Sequence, residues 1–152
     1  MRKRLKARVA TLLAASALLA GSSLTFGANN AAAATWTFEK SAVESDGTFY
    51  IYAYYNGTYA GLMEWNADPI EFQDSTRPGD AFRVLDRLSD GYGMEATMIS
   101  PEYRRATTRG HSAVYYSPWQ TGDLAEGTKV FIQLCAVNGD YESCSLAYSG
   151  HA

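Results

Sequence analysis

The chain has 152 residues, with 13 basic and 16 acidic side chains, 13% aromatic residues and two cysteines. Clustered positive charge, which a phosphate backbone requires, is missing once the N-terminal segment is set aside, so nucleic acid is excluded as a partner. Two histidines and the lack of any Gly-x-Ser-x-Gly, His-Glu-x-x-His or phosphate-loop pattern leave no standard catalytic, metal or cofactor signature.

Residues 2–8 hold five positive charges, an apolar stretch runs from Val9 to about Ala20, and Ala31-Ala32-Ala33-Ala34 offers a small-residue cleavage site. This is the order of a secretory signal peptide, so residues 1–34 are expected to be removed on export. The apolar stretch of about twelve residues falls short of the roughly 20 that a spanning helix needs. Residues 35–152 are then a single β domain of 118 residues. Five basic and no acidic residues leave with the leader, so eight basic face sixteen acidic residues, a net charge of −8. Such a chain is also a poor partner for an anionic membrane surface after cleavage. In an exported chain the pair Cys135 and Cys144 is expected to form a disulfide.

The first strong local signal is Phe49–Glu64, where Asn56-Gly57 divides two β-prone runs and predicts a type I′ hairpin turn. Regular pairing sets Tyr55 opposite Thr58, Tyr54 opposite Tyr59 and Ile51 opposite Leu62. Alternation then assigns Phe49, Ile51, Ala53, Ala60 and Leu62 to a core face, and Tyr50, Tyr52, Tyr54, Tyr59 and Met63 to the other. Two arrangements are open: a tyrosine face exposed for binding, or one packed against a second sheet. Asn56-Gly57-Thr58 also matches an N-glycosylation acceptor, but the turn already accounts for these residues.

Further strands are predicted at Ala81–Asp86, Tyr92–Met98 and Ser112–Tyr116, separated by Pro- and Gly-bearing loops. Asp86–Gly91 has the look of a calcium loop but lacks the ligand ladder of one, and reads as a solvated turn. Arg104–Arg109 reads as a basic loop, with Arg104, Arg105 and Arg109 as candidate contacts for an acidic partner. His111 is assigned to a loop, and would serve a hydrolase only if it lay in a pocket beside a nucleophile or a second acid–base group. Thr128–Val137 alternates Val130, Ile132, Leu134 and Ala136 against Lys129, Phe131, Gln133 and Cys135. A turn with Gly139 first and Asp140 second is of type II′ and places Cys135 opposite Cys144 in a non-hydrogen-bonded pair. About six to eight short strands at this spacing predict an all-β, antiparallel sandwich, immunoglobulin-like or similar, with a small barrel as the alternative.

Arg109-Gly110-His111-Ser112, Tyr116-Ser117-Pro118-Trp119, Gly122-Asp123-Leu124, Glu126-Gly127-Thr128, Leu134-Cys135 and Cys144 form a set of motifs, with Pro78-Gly79-Asp80-Ala81 and Asp90-Gly91-Tyr92 upstream. Across these the chain resembles a group of small exported proteins of Streptomyces and related actinobacteria. The resemblance covers about two-thirds of the expected mature chain and speaks to fold rather than chemistry. Many of those proteins have a second cysteine pair near the positions of Leu85 and Tyr116, which implies that these two side chains are neighbours. The expected function is a secreted, non-catalytic interaction module for another extracellular protein. An adaptor, an inhibitor or a subunit of a secreted toxin particle would each fit. A polysaccharide- or cell-wall-binding module is the second expectation, and a small hydrolase the third.

Overall fold

The computed structural model describes residues 35–73 and 75–152, so the expected signal segment lies outside the described residues. These residues form twelve strand segments and no helix, more segments than expected because six of them span four residues or fewer. One antiparallel sheet holds β1 (Trp36–Lys40), β2 (Phe49–Tyr55), β3 (Thr58–Asn66), β6 (Ala81–Asp86) and β9 (Tyr115–Tyr116), in the order β1-β2-β3-β6-β9. The second holds β7 (Gly93–Ser100), β8 (Arg104–Thr107), β10 (Lys129–Asn138), β11 (Tyr141–Cys144) and β12 (Tyr148–His151). Its order is β11-β10-β7-β8, with β12 also paired to β10. β4 (Ile70–Phe72) and β5 (Ser75–Arg77) make a separate two-stranded hairpin. Neither large sheet closes on itself, so the architecture is a sandwich rather than a barrel.

Each sheet turns one apolar face inward. Phe49, Ile51, Ala53, Met63, Trp65, Phe82 and Val84 from the first sheet share one core cluster with Met94, Ala96, Met98, Ala106, Val130, Ile132, Leu134 and Ala136 from the second. All of these are essentially fully buried. At the end where both hairpin turns lie, Trp36, Tyr55, Tyr92 and Tyr141 close the sandwich, with ring centroids 4.8–5.5 Å apart along the chain of contacts.

Both hairpins form as the turn residues dictate. Asn56 and Gly57 take φ of 49° and 79°, and Gly139 takes 55°, the left-handed values that I′ and II′ turns require. Cys135 pairs with Cys144 in register, and the two are joined by a disulfide with Cα atoms 4.0 Å apart. Leu85 and Tyr116 are register partners on β6 and β9.

The first hairpin departs from regular pairing at one point. Tyr54 opposes Tyr59, but Ala53 opposes Gly61, so Ala60 is an extra residue in β3. Its carbonyl accepts the Arg87 N–H at 2.8 Å instead. A bulge of this kind reverses the faces of everything beyond it. Ile51 therefore opposes Met63, not Leu62. Met63 is completely buried in the core, while Leu62 lies half-buried among the tyrosines, opposite to the assignment made by regular alternation.

Gly61 makes the bulge possible, because a Cβ there would collide with the Leu85 carbonyl and lie 2.8 Å from Met94 Cγ. Gly61→Val is expected to lower stability by about 2–3 kcal/mol, the range of core overpacking, as read from the urea unfolding midpoint. A variant as stable as the wild type would show that β3 does not depend on this close approach.

Candidate functional site

The tyrosine face lies on the outside of the first sheet. Tyr50, Tyr52, Tyr54 and Tyr59 are each half-buried, whereas their strand neighbours Phe49, Ile51 and Ala53 have no exposure at all. The rings support one another. Tyr50 and Tyr52 are 6.1 Å apart and nearly parallel, whereas Tyr59 is inclined by 65° to Tyr52 and by 58° to Tyr54. Register extends the patch across the sheet through Leu62, Leu85 and Tyr116. Burial, followed by the neighbouring Tyr116 and Tyr52 phenols, pushes the Tyr59 hydroxyl up to about 12. Burial and then the Glu64 and Glu44 charges raise Tyr50 as well. Both hydroxyls therefore stay protonated and can donate hydrogen bonds at any pH near neutrality.

Arginines are interleaved with the rings. The Arg87 guanidinium lies 5.3 Å from the Tyr59 centroid, and that of Arg83 lies 4.4 Å from Tyr116 and 4.3 Å from Trp119. Such contacts are attractive because a cation meets the negative face of the ring. Beneath them Glu64, on the same outer face because of the bulge, is buried. Its carboxylate accepts from Arg77 Nη1 at 2.6 Å and from Arg83 Nε at 2.9 Å. Regular alternation in Ala81–Asp86 is enough to put Arg83 and Leu85 on one face. The β3–β6 and β6–β9 pairings that bring them to the tyrosines are long-range and carry no local signal.

Arg104–Arg109 is not a loop. Arg104–Thr107 forms β8, an edge strand paired with β7. Arg104 is held inside the fold: Nη1 donates to the carbonyls of Asp80 and Gln120 at 2.6 and 3.0 Å, and Nε lies 2.9 Å from Glu102. Arg109 donates to Glu95 and to the Gly139 carbonyl and lies 3.7 Å from Glu142. Arg105 is the more exposed of the three and also faces Glu95, at 3.7 Å. These arginines lie on the second sheet, apart from the tyrosine face, and their charges are matched by neighbouring carboxylates. The reason is strand pairing: β8 lines up with β7, which carries Glu95.

A cavity of about 470 Å³ opens at one end of the sandwich, lined by Asp86, Thr108, Arg109, His111 and Ser112 among others. The His111 ring is exposed and stacks on Tyr115, with centroids 3.8 Å apart and planes within 5°. Among the described residues its partner is that ring, rather than Ser112 or a carboxylate, so the hydrogen bonds that order a hydrolytic triad are not in place. Asp86 follows Phe82 and Val84 on the core side of β6 and is 3% exposed, with Oδ1 lacking a hydrogen-bond partner. Burial first, and then the Asp90 charge, raise its carboxyl to about 6, while the Leu88 backbone N–H acts the other way. Asp90 Oδ1 accepts the Tyr92 N–H and so tightens the turn. Among the described residues no group of three or more His, Cys, Asp or Glu is placed to hold a metal ion.

No family model matches the chain, and no curated protein or solved structure is significantly similar to it.

The raised Asp86 carboxyl makes stability depend on pH. A carboxyl that holds its proton more tightly when folded contributes fully below its unfolded value near 4, and this contribution is lost as pH rises to about 6. Asp86→Asn is therefore expected to exceed the wild type in stability by about 1–3 kcal/mol above pH 6, with the gap closing below pH 4. Urea midpoints measured from pH 4 to 8 test this, and a variant less stable than the wild type at pH 7 would contradict it.

Proposed function

We propose that the chain is an exported, non-catalytic binding module that docks a partner protein of negative surface charge through the outer face of its first sheet. The observation that carries this reading is the composition of that face. Tyr50, Tyr52, Tyr54, Tyr59, Tyr116 and Trp119 are interleaved with Arg77, Arg83 and Arg87. Tyr, Trp and Arg are the side chains that dominate binding energy at protein interfaces, since Tyr and Trp bury large areas with few rotatable bonds and Arg offers a planar fork of donors. Three of the eight cations outside the leader gather here in an otherwise acidic chain, which favours an acidic partner and disfavours like-charged ones. The disulfide is compatible with an oxidising, extracellular setting. No helix among the described residues is long and apolar enough to cross a membrane.

Ring geometry argues for protein over sugar. A sugar stacks its C–H face on an open ring face and is best served by coplanar rings. Here Tyr59 stands 58–65° from its neighbours, and arginines occupy the faces of Tyr59, Tyr116 and Trp119. Edges, hydroxyls and guanidinium groups are what remain for a partner.

Photo-crosslinking from p-benzoylphenylalanine at Tyr52 or Tyr59, in culture fluid of the source organism, tests the face directly. A single protein captured from both positions but not from Thr97 on the other sheet is the expected result. Its affinity should fall at least tenfold in Tyr52→Ala/Tyr54→Ala, the loss of one or two interface anchors. Equal capture from Thr97 would remove the proposal. Retention on cell-wall polysaccharide that the same double variant abolishes would replace it with carbohydrate binding.

A further inference from the structure

Among the described residues Arg77 and Arg83 share a single acid, Glu64, so two positive charges face one negative charge. The Glu64 side chain is only 5% exposed, while those of Arg77 and Arg83 are 35% and 21% exposed. Arg83 spends Nε on Glu64, and its two terminal nitrogens have no hydrogen-bond partner among the described residues. Both arginines line a cavity of about 330 Å³ at the edge of the tyrosine face, with Phe72 and Trp119 as walls and Ser75 and Thr76 at the rim. The Arg77 guanidinium lies 5.2 Å from the Phe72 centroid and that of Arg83 lies 4.3 Å from the Trp119 centroid. The rings hold both cations in place before any ligand arrives.

We infer that this pocket receives a carboxylate side chain, Asp or Glu, of the partner protein, with Arg83 as its principal donor. The inference rests on the docking role proposed for the tyrosine face and gives it a specificity element. An arginine fork matches a planar carboxylate in shape and can donate two parallel hydrogen bonds. A single surplus charge matches a single negative charge, and the aromatic walls suit the methylene stem that carries it. A held cation already stripped of much of its water loses little further entropy when the carboxylate binds.

The surplus can be altered in both directions, and in neither variant is the 5% exposed Glu64 carboxylate left without a cation. Arg83→Gln leaves Glu64 with Arg77 alone, one to one, and Glu64→Gln raises the surplus to two. The probe is the dipeptide Ac-Asp-Glu-NH2, titrated against ¹⁵N-labelled protein while the Trp119 indole N–H and the arginine Nε–H resonances are followed. Ac-Asn-Gln-NH2 and inorganic phosphate serve as controls, and thermal unfolding confirms that each variant is folded. Saturable shifts at millimolar acidic dipeptide are expected, with at least fivefold weaker binding of the amide control. Arg83→Gln should abolish the shifts and Glu64→Gln should tighten binding at least threefold, an increase that general damage to the fold cannot produce. Equal shifts with the amide dipeptide, phosphate binding as tight as the dipeptide, or weaker binding by Glu64→Gln would overturn the assignment. If partner crosslinking from Tyr52 persists with unchanged affinity in Arg83→Gln, the pocket assignment fails and the docking face stands. If crosslinking fails while the dipeptide still binds, the docking face fails and the carboxylate site stands without it.

Discussion

A charged carboxylate is costly to leave among phenylalanine and isoleucine, and β3 is arranged around that cost. With regular pairing from the Asn56-Gly57 turn, Glu64 would lie opposite Phe49 and face the core. Burial of an unpaired charge costs several kcal/mol even after relaxation, whereas the ladder hydrogen bond disturbed at a bulge is worth about 0.5–1.5 kcal/mol. Keeping the charge out of the core therefore outweighs keeping the ladder regular. Ala60 is displaced, Gly61 lets the backbone approach Leu85, and the rest of β3 turns over. Trp65 and Met63 enter the core, and Glu64 emerges on the outer face, where Arg77 and Arg83 reach it.

The same reversal fixes the character of the outer face. It moves Leu62 beside Tyr52 and brings Glu64 into register with Tyr50 on one side and Arg83 on the other. A sheet face built from half-buried rings could be left bare only at a risk of association with other copies. Here arginines lie over several rings, as cation–π contacts allow, and they keep charge and water close to the apolar surface. In the proposed docking, a partner must therefore offer something to the cations as well as area to the rings. That requirement would give the proposed docking its selectivity, because a neutral partner would desolvate guanidinium groups without pairing them.

Much of this fold is legible in the sequence because its signals are local. The turn residues Asn56-Gly57 and Gly139-Asp140 set both hairpins, and the spacing of Cys135 and Cys144 agrees with the register of the second. Ala81–Asp86 is a strand with the predicted bounds. What is not legible depends on long-range competition. The bulge has one local hint, a Glu and a Trp at the positions that regular alternation would send to the core and to solvent, with a Gly three residues before the Glu. Three arginines close together in Arg104–Arg109 suggest a solvated loop, because the acid that pairs with them, Glu95, stands on the neighbouring strand β7 and no turn signal between the strands fixes that register. Ser112–Tyr116 is reduced to two strand residues, since β9 is an edge held by β6 alone. The tyrosines are visible as a face, but the arginines that complete it come from β5, β6 and the turn after β6.

Exposure alone does not tell a binding arginine from a structural one, and partner arithmetic does. Arg104 lies against Trp65 and Phe82 much as Arg83 lies against Tyr116 and Trp119. Yet Arg104 supplies two backbone carbonyls and has Glu102 for itself, with Gly122 leaving room for its head group. Its loss would orphan buried acceptors, which is a stability effect. Arg109 is likewise satisfied by Glu95, Gly139 and Glu142. Arg105 and Arg109 share Glu95 but have Glu142 as a second acid, whereas Arg77 and Arg83 have Glu64 alone, so that full pairing needs a second carboxylate that the described residues do not place there. An unpaired, partly desolvated and ring-clamped cation has more to gain from an incoming anion than a hydrated one has. On the proposed reading, recognition falls where two partly buried arginines have one acid between them among the described residues.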